Sequence, residues 1–516
     1  MAAGTLASRL TGLVRTAVLA AALGLTTVAD SYNIANTVPT ILLVLVTGGT
    51  LSAVLIPMLV ETTGEARRTT AGALGSLVLW ATIVAAFLAA VSSPLLARLF
   101  ASGLRGEPEY DDFVRLVTAF LVLFAPQVVA YGVSVHAVAV MNASGRLALG
   151  AFSSVLTNLI TIAAIGGYVL LRPDDGSVPS GRALLVLGAG TTLGVVAMAA
   201  AQSWGAHRVV PGLRIWALPR RDATSRRVLS LGRWTVLYVV ANQAGLAVVL
   251  TVAAGFQGAS AYQWAFAIMQ LPFAIIAVSV LSALFPRLSR AAKDDPVGFA
   301  AQVSHGMRLL LLLLVPAAVL LVVLARPLTE LLLGYGAVDP AGVALIAGAV
   351  RAFGLALLPF TVFQLLTRAC YAQSDARTPA LVNVAVNLVN IAGAALAVRL
   401  SDQDPHRALV ALVLAYAASY LVGAVLLGAR LAARRPGVFV GVTGLTGRLA
   451  LAAAGMVATT TALDAALGGS WPSGQPVGAV VEVLVAGTCA GLVYAAAVLV
   501  LVPSMVSIPR RLRRGR

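Results

Sequence analysis

Runs of about twenty apolar residues, separated by short polar breaks, recur along the whole chain. A helical run of that length spans a hydrocarbon core roughly 30 Å thick. Placing the breaks predicts about fourteen helices. Their spans are 6–26, 32–60, 70–101, 112–141, 148–171, 183–206, 230–254, 261–285, 304–325, 341–372, 379–399, 408–430, 447–466 and 479–502. Several exceed the minimum, enough to tilt or to protrude from a bilayer. The first run lacks a short apolar stretch followed by a cleavage site and reads as a retained helix rather than a signal peptide. The predicted fold is an all-α polytopic membrane protein.

The charges between the runs set an orientation. Basic gaps follow the sixth span (Arg208, Arg214, Arg220, Arg221, Arg226, Arg227, Arg233), the eighth (Arg287, Arg290, Lys293) and the twelfth (Arg430, Arg434, Arg435). The tail adds Arg510, Arg511, Arg513, Arg514 and Arg516. Acids collect in the alternate gaps, at Glu107, Glu109, Asp111, Asp112, Asp174, Asp175, Asp402 and Asp404. Basic loops stay on the cytoplasmic side, so both termini are expected there.

Composition narrows the class further. Hydrophobic residues are 59% of the 516 positions and charged residues 11%, against roughly 25% charged in soluble domains. The net charge of +17 would suggest nucleic acid in a soluble protein. Here its placement in inner loops accounts for it, and no nucleic-acid partner is expected. Lys293 is the one lysine among 36 basic residues, as codon pressure in a GC-rich genome produces. Cys370 and Cys489 lie far apart and imply no disulfide. The four histidines are scattered, no metal-ligand spacing occurs, and no phosphate-binding G-x-x-x-x-G-K-[ST] element is present. Neither metal nor cofactor is expected.

The chain echoes itself. Ala29-Asp30-Ser31-Tyr32 and Leu51-Ser52-Ala53 return, 230 positions later, as Ala259-Ser260-Ala261-Tyr262 and Leu281-Ser282-Ala283. Asn158-Leu159 returns 229 positions later as Asn387-Leu388. Such echoes predict two six-helix lobes in parallel repeat, with two C-terminal helices outside it. The expected parts are an N-terminal lobe (1–206), a basic cytoplasmic linker (207–229), a C-terminal lobe (230–430) and a second linker (431–446). The last helix pair (447–502) and a basic tail (503–516) complete the chain.

Polar groups inside membrane helices are costly and turn toward the bundle interior or a watery cavity. On the second span, Asp30, Asn33, Thr37, Thr40 and Thr47 share one helical stripe with Val44. Gln263, Ala267 and Gln270 share another on the eighth, Thr361, Gln364 and Arg368 on the tenth, and Asn383, Asn387 and Asn390 on the eleventh. Two readings stand for these residues: they bond neighbouring helices, or they line a substrate cavity. Arg9 and Arg15 lie in the first span, where arginines either snorkel to headgroups or bind phosphate oxygens through their planar fork.

Three stretches carry a family pattern: Ser8-Arg9 with Gly12 and Arg15; Ala29-Asp30-Ser31-Tyr32 with Pro39; and Gly48-Gly49 with Leu51-Ser52 and Pro57. With Met141 to Arg146 and the run from Tyr371 to Pro379, they resemble the MurJ (MviN) family of lipid II flippases over roughly residues 5–450. The resemblance implies a fourteen-helix fold of the multidrug/oligosaccharidyl-lipid/polysaccharide exporter superfamily, with two lobes around a cavity. It further implies cavity cations that meet a pyrophosphate, and a lipid-tail groove formed by the last two helices. Two departures stand out, since the family's cavity arginines of spans two and eight fall at Val44 and Ala267. A divergent actinobacterial-type member fits that pattern.

The expected function is a lipid II flippase, not an enzyme. It would carry the undecaprenyl-pyrophosphate-linked peptidoglycan precursor across the bacterial plasma membrane by alternating access. The substrate-binding candidates are Arg9, Arg15, Asp30, Asn33, Thr37, Gln263, Gln270, Gln364, Arg368 and Asn387. Expected partners are lipid II and plasma-membrane lipids, with cell-wall synthesis or division proteins as further candidates. A related exporter, for another polyprenyl-linked glycan or for drugs and cations, is the alternative. A membrane-embedded glycosyltransferase using the acids at 107–112 ranks below both, because the outer loops are short.

Overall fold

A computed structural model describes residues 2–47, 59, 62–146, 148–172, 180–216, 233–402, 404–467 and 476–503. Several expectations therefore lie outside the described residues. They concern Gly48 to Pro57, Asp174 and Asp175, most of the linker with Arg220 to Arg227, and the tail from residue 504.

The described chain is helical. In order come α1 (Ala2–Leu23), α2 (Thr27–Thr47), α3 (Gly64–Val91), α4 (Ser93–Phe100), α5 (Tyr110–Ala143), α6 (Ala148–Leu171), α7 (Gly181–Val209) and α8 (Arg233–Ala254). Then follow α9 (Ala259–Pro272), α10 (Val278–Asp294), α11 (Pro296–Val323), α12 (Ala325–Leu333), α13 (Pro340–Ala372), α14 (Arg377–Leu400), α15 (Pro405–Arg434), α16 (Val442–Leu467) and α17 (Pro476–Leu501). Among the described residues, 12 helices are long and apolar enough to cross a membrane. They correspond in order to the third to fourteenth predicted spans. The 22 residues of α1 and 21 of α2 reach about 32 Å at 1.5 Å per residue, the thickness of a hydrocarbon core.

Two predicted spans prove to be interrupted. The third breaks at Ser92, whose hydroxyl donates to Leu88 O at 2.6 Å while Pro94 starts the next helix. The eighth passes through one π turn, Phe273–Ala277, directly after Pro272, which supplies no N–H to the ladder.

The chain forms two compact units: Met1–Ser260 with Tyr335–Asp339, and Ala261–Gly334 with Pro340–Arg516. The boundary falls later than the expected linker at 207–229. The reason is packing: α8 lies against α2, α4 and the short turn Ala101–Leu104.

Inside the first unit, α7 packs on α5 and α6, and α2 on α5. Buried polar side chains tie these helices together, as expected where no hydrophobic effect separates helix from lipid. Ser134 of α5 donates to Gln202 Oε1 of α7. Gln202 Nε2 donates in turn to Ser153 Oγ of α6 at 2.6 Å. In the second unit α15 packs on α13 and α14, while α16 pairs with α17 and leans on α11.

The internal echo reappears as repeated contacts. In the first unit Tyr32 meets Phe124 edge-on, with centroids 5.4 Å apart; in the second, Tyr262 meets Phe353 at 5.3 Å. Each pair contributes about 0.5–1.5 kcal/mol beyond the area it buries. A Cβ on Gly194 would lie 2.9 Å from Thr157 O, and the counterpart on Gly423 would strike Val386. The same glycine thus lets the same two helices approach closely in both units.

The helix ends repeat too. At the end of α5, the Arg146 N–H donates to Met141 O at 2.9 Å and the Gly145 N–H to Asn142 O at 3.1 Å. At the end of α13, Asp375 N–H donates to Cys370 O at 3.0 Å and Ser374 N–H to Tyr371 O at 2.9 Å. Both are Schellman closures, with left-handed Gly145 (φ 72°) and Ser374 (φ 61°) at equivalent places.

Candidate functional site

In the first unit, α1 is held at both ends. Asn158 Nδ2 of α6 donates to Ser8 O at 3.2 Å and to Thr11 Oγ1 at 2.9 Å. At the other end Arg172 Nη1 donates to Ala22 O at 2.7 Å and Ala337 N–H to Ala21 O at 2.8 Å. These bonds satisfy carbonyls that a helix C-terminus leaves open. On the helix so positioned, Arg9 is exposed and Arg15 half-buried. Among the described residues neither forms an ion pair.

Asp30 does not face an open cavity. It is 2% exposed, and both carboxylate oxygens accept backbone N–H groups. Ser260 N–H donates to Oδ1 at 2.7 Å and Ala259 N–H to Oδ2 at 3.2 Å. Beside it, Asn33 Nδ2 donates to Ser260 Oγ at 2.9 Å. Ala259 and Ser260 open α9, so Asp30 caps a helix distant in sequence and sits at its positive pole. The acid is thereby committed to a helix start and leaves the α1 cations unneutralised.

Further along α2 the stripe opens. Thr37 is half-buried and its hydroxyl donates to Asn33 O at 2.8 Å. Thr40 is exposed, and Val44 and Thr47 are half-buried. The off-stripe Ile34 and Ala35 are fully covered.

In the second unit Gln263, Ala267 and Gln270 are half-buried, as are Gln364 and Arg368 of α13. Thr361, on the same stripe, is buried and donates to Leu357 O at 2.8 Å. Arg368 has no ion-pair or hydrogen-bond partner among the described residues, which leaves its fork available. Asn387 turns back on its own helix and donates to Asn383 O at 2.8 Å. Asn390 is buried with its Oδ1 unbonded among the described residues.

The run from Gln373 to Thr378 carried the family resemblance in the sequence but was given no structural contact there. Asp375 Oδ1 accepts the Thr378 N–H at 2.9 Å, and Oδ2 accepts the Thr378 hydroxyl at 2.7 Å and Arg434 Nη1 at 3.0 Å. The carboxylate thus caps α14 and clamps the end of α15. Partial burial alone would raise its pKa, but these hydrogen bonds and the Arg434 charge outweigh burial and lower it. The spacing Asp375-x-x-Thr378-Pro379 was itself a legible helix-start signal. The Arg434 partner, 59 residues on, had none.

Chemically, this inventory offers unneutralised guanidinium groups and amides. Among the described residues no group of three or more His, Cys, Asp or Glu is placed to hold a metal ion.

Comparison with known proteins supplies the family. The model of the lipid II flippase MurJ family matches residues 19–471. The chain belongs to the MurJ family. The lipid II flippase MurJ of Burkholderia cenocepacia is 29% identical over 395 residues, covering 75% of this chain and 74% of the relative. A probable lipid II flippase MurJ of Rhizobium meliloti is 28% identical over 400 residues, covering 74% and 72%. Among solved structures, a lipid II flippase MurJ in an inward closed conformation has a TM-score of 0.77 at 17% identity, covering 98% of this chain and 99% of that one. An inward-facing multidrug-resistance transporter of the MATE family follows with a TM-score of 0.66 at 11% identity, covering 83% and 95%. At such identities these two likenesses speak for the fold alone. As a MurJ-family member the chain is a multi-pass protein of the bacterial inner membrane, in a family of transporters.

Proposed function

We propose that this MurJ-family chain translocates lipid II, the undecaprenyl-pyrophosphate-linked peptidoglycan precursor, from inner to outer leaflet by alternating access and without covalent catalysis. The observation that carries the reading is the state of Arg9 and Arg15. An intramembrane cation without a partner is expensive, so a helix that keeps two has a use for them. Asp30, the nearest candidate counter-charge in sequence, is bound to a helix start instead. A pyrophosphate supplies the missing anion, and a guanidinium fork binds its oxygens in pairs. Thr37 and the opening stripe of α2 extend the polar surface. Gln263, Gln270, Gln364 and Arg368 offer donors of the same kind within the second unit. Asp30 and Asn33 support these surfaces by holding the start of α9.

The test is substitution in a strain depleted of its own flippase. Arg9→Ala and Arg15→Ala should abolish complementation at normal abundance, and Arg→Lys should restore only part of it. Full rescue by both lysine variants would remove the fork from the mechanism, since a snorkelling side chain needs charge alone. The uncharged Val44 and Ala267 favour a second reading, in which a related polyprenyl-linked glycan is the cargo. Identifying which precursor accumulates on the inner leaflet after depletion separates the two.

The same reading places both termini in the cytoplasm and lays the basic linker along the inner surface. Reporter fusions at residues 220 and 516 should then report inside, and fusions near 108 and 403 outside. Cell-wall synthesis or division proteins are the protein partners this role would bring.

A further inference from the structure

The second unit holds a cavity of about 290 Å³ among α11, α13, α16 and α17. Its lining mixes apolar Val323, Leu463 and Ala486 with charged Arg351, Asp464 and Glu482. These charges sit on membrane-spanning helices and do not pair with one another. Among the described residues, Asp464 and Glu482 accept no hydrogen bond. Arg351 spends only its Nε, on Val322 O at 3.3 Å. The nearby Arg326 is already engaged by Glu330 at 3.0 Å. Helices α16 and α17 are also the least buried of the twelve apolar spans.

Arg351 and Asp464 are exposed and Glu482 is half-buried, so one cation and two anions are within reach of a headgroup in one cavity. We propose that this cavity binds the headgroup of an amine-bearing phospholipid, with its phosphodiester at Arg351 and its primary ammonium at Glu482 and Asp464. The acyl chains would lie along Val323, Leu463 and Ala486. Charge complementarity selects the occupant. An anionic headgroup satisfies the arginine and is repelled by two carboxylates. A quaternary ammonium keeps the charge but lacks the N–H donors that charge-assisted bonds need.

The experiment uses purified full-length protein in phosphatidylglycerol nanodiscs doped with phosphatidylethanolamine or phosphatidylcholine, and counts retained lipid by native mass spectrometry. Wild type should retain phosphatidylethanolamine about tenfold more tightly than the other two, the scale of one charge-assisted contact set. Glu482→Gln and Arg351→Gln should each erase most of that preference, while Glu107→Gln, on the first unit, leaves it intact. Equal retention of the three lipids by wild type would overturn the proposal without recourse to any variant. So would a preference that survives Glu482→Gln in protein with an unchanged melting midpoint. Because lipid retention is read without transport, the result stands apart from that of the Arg9 and Arg15 test.

Discussion

Replacing Asp30 by alanine should unfold the protein more readily rather than strip it of a substrate contact. The carboxylate accepts two N–H groups at 2.7 and 3.2 Å from the first two residues of α9, where water cannot replace it because the site is 2% exposed. Stranding a buried donor costs about 1–3 kcal/mol, and losing a helix cap about 0.5–2 kcal/mol. Since the two descriptions overlap, the expected loss for Asp30→Ala is about 2–4 kcal/mol. Asn keeps one acceptor oxygen and should lose about half as much. The assay is a denaturant titration of purified protein in detergent, paired with complementation at low and high temperature. Asp30→Asn should complement at low temperature and fail on warming, with its unfolding midpoint between wild type and Asp30→Ala. An Asp30→Ala protein as stable as wild type yet inactive at every temperature would refute the capping argument. The carboxylate charge would then act on the cargo directly.

Two equivalent helix ends should respond in opposite directions. Gly145→Ala puts a side chain at φ 72° and should destabilise by about 1 kcal/mol, whereas Ser374→Gly relieves φ 61° and should stabilise by about as much. Equal unfolding midpoints for both variants would argue against left-handed strain at these ends. The Asp375 clamp should be sensitive to pH. Its folded pKa lies below the ordinary carboxylate value, so its contribution is full above that ordinary value and disappears as pH falls through the folded value. Asp375→Asn should therefore be less stable than wild type at neutral pH, with the gap closing below about pH 4. A gap independent of pH would mean that the carboxylate charge plays no part.

The order and approximate ends of the twelve long apolar helices followed from residue type alone, because a lipid core imposes one length and one polarity on every span. The repeat was legible for a related reason. Tyr32 and Tyr262, or Gly194 and Gly423, stand at fixed offsets because two copies of one bundle need the same packing residues. Periodicity also placed Asp30, Asn33 and Asn387 on helix faces, but a face has a direction and no named neighbour. Only the tertiary structure decided that Asp30 meets the start of α9, 229 residues away. It likewise joined Asp375 to Arg434, broke the third span at Ser92 and drew α8 into the first unit. It also gathered Arg351, Asp464 and Glu482 from three helices around one cavity. A hydrophobic pattern records which medium each side chain meets, whereas the partner of a charge is settled by where folding brings distant backbone and side chains together.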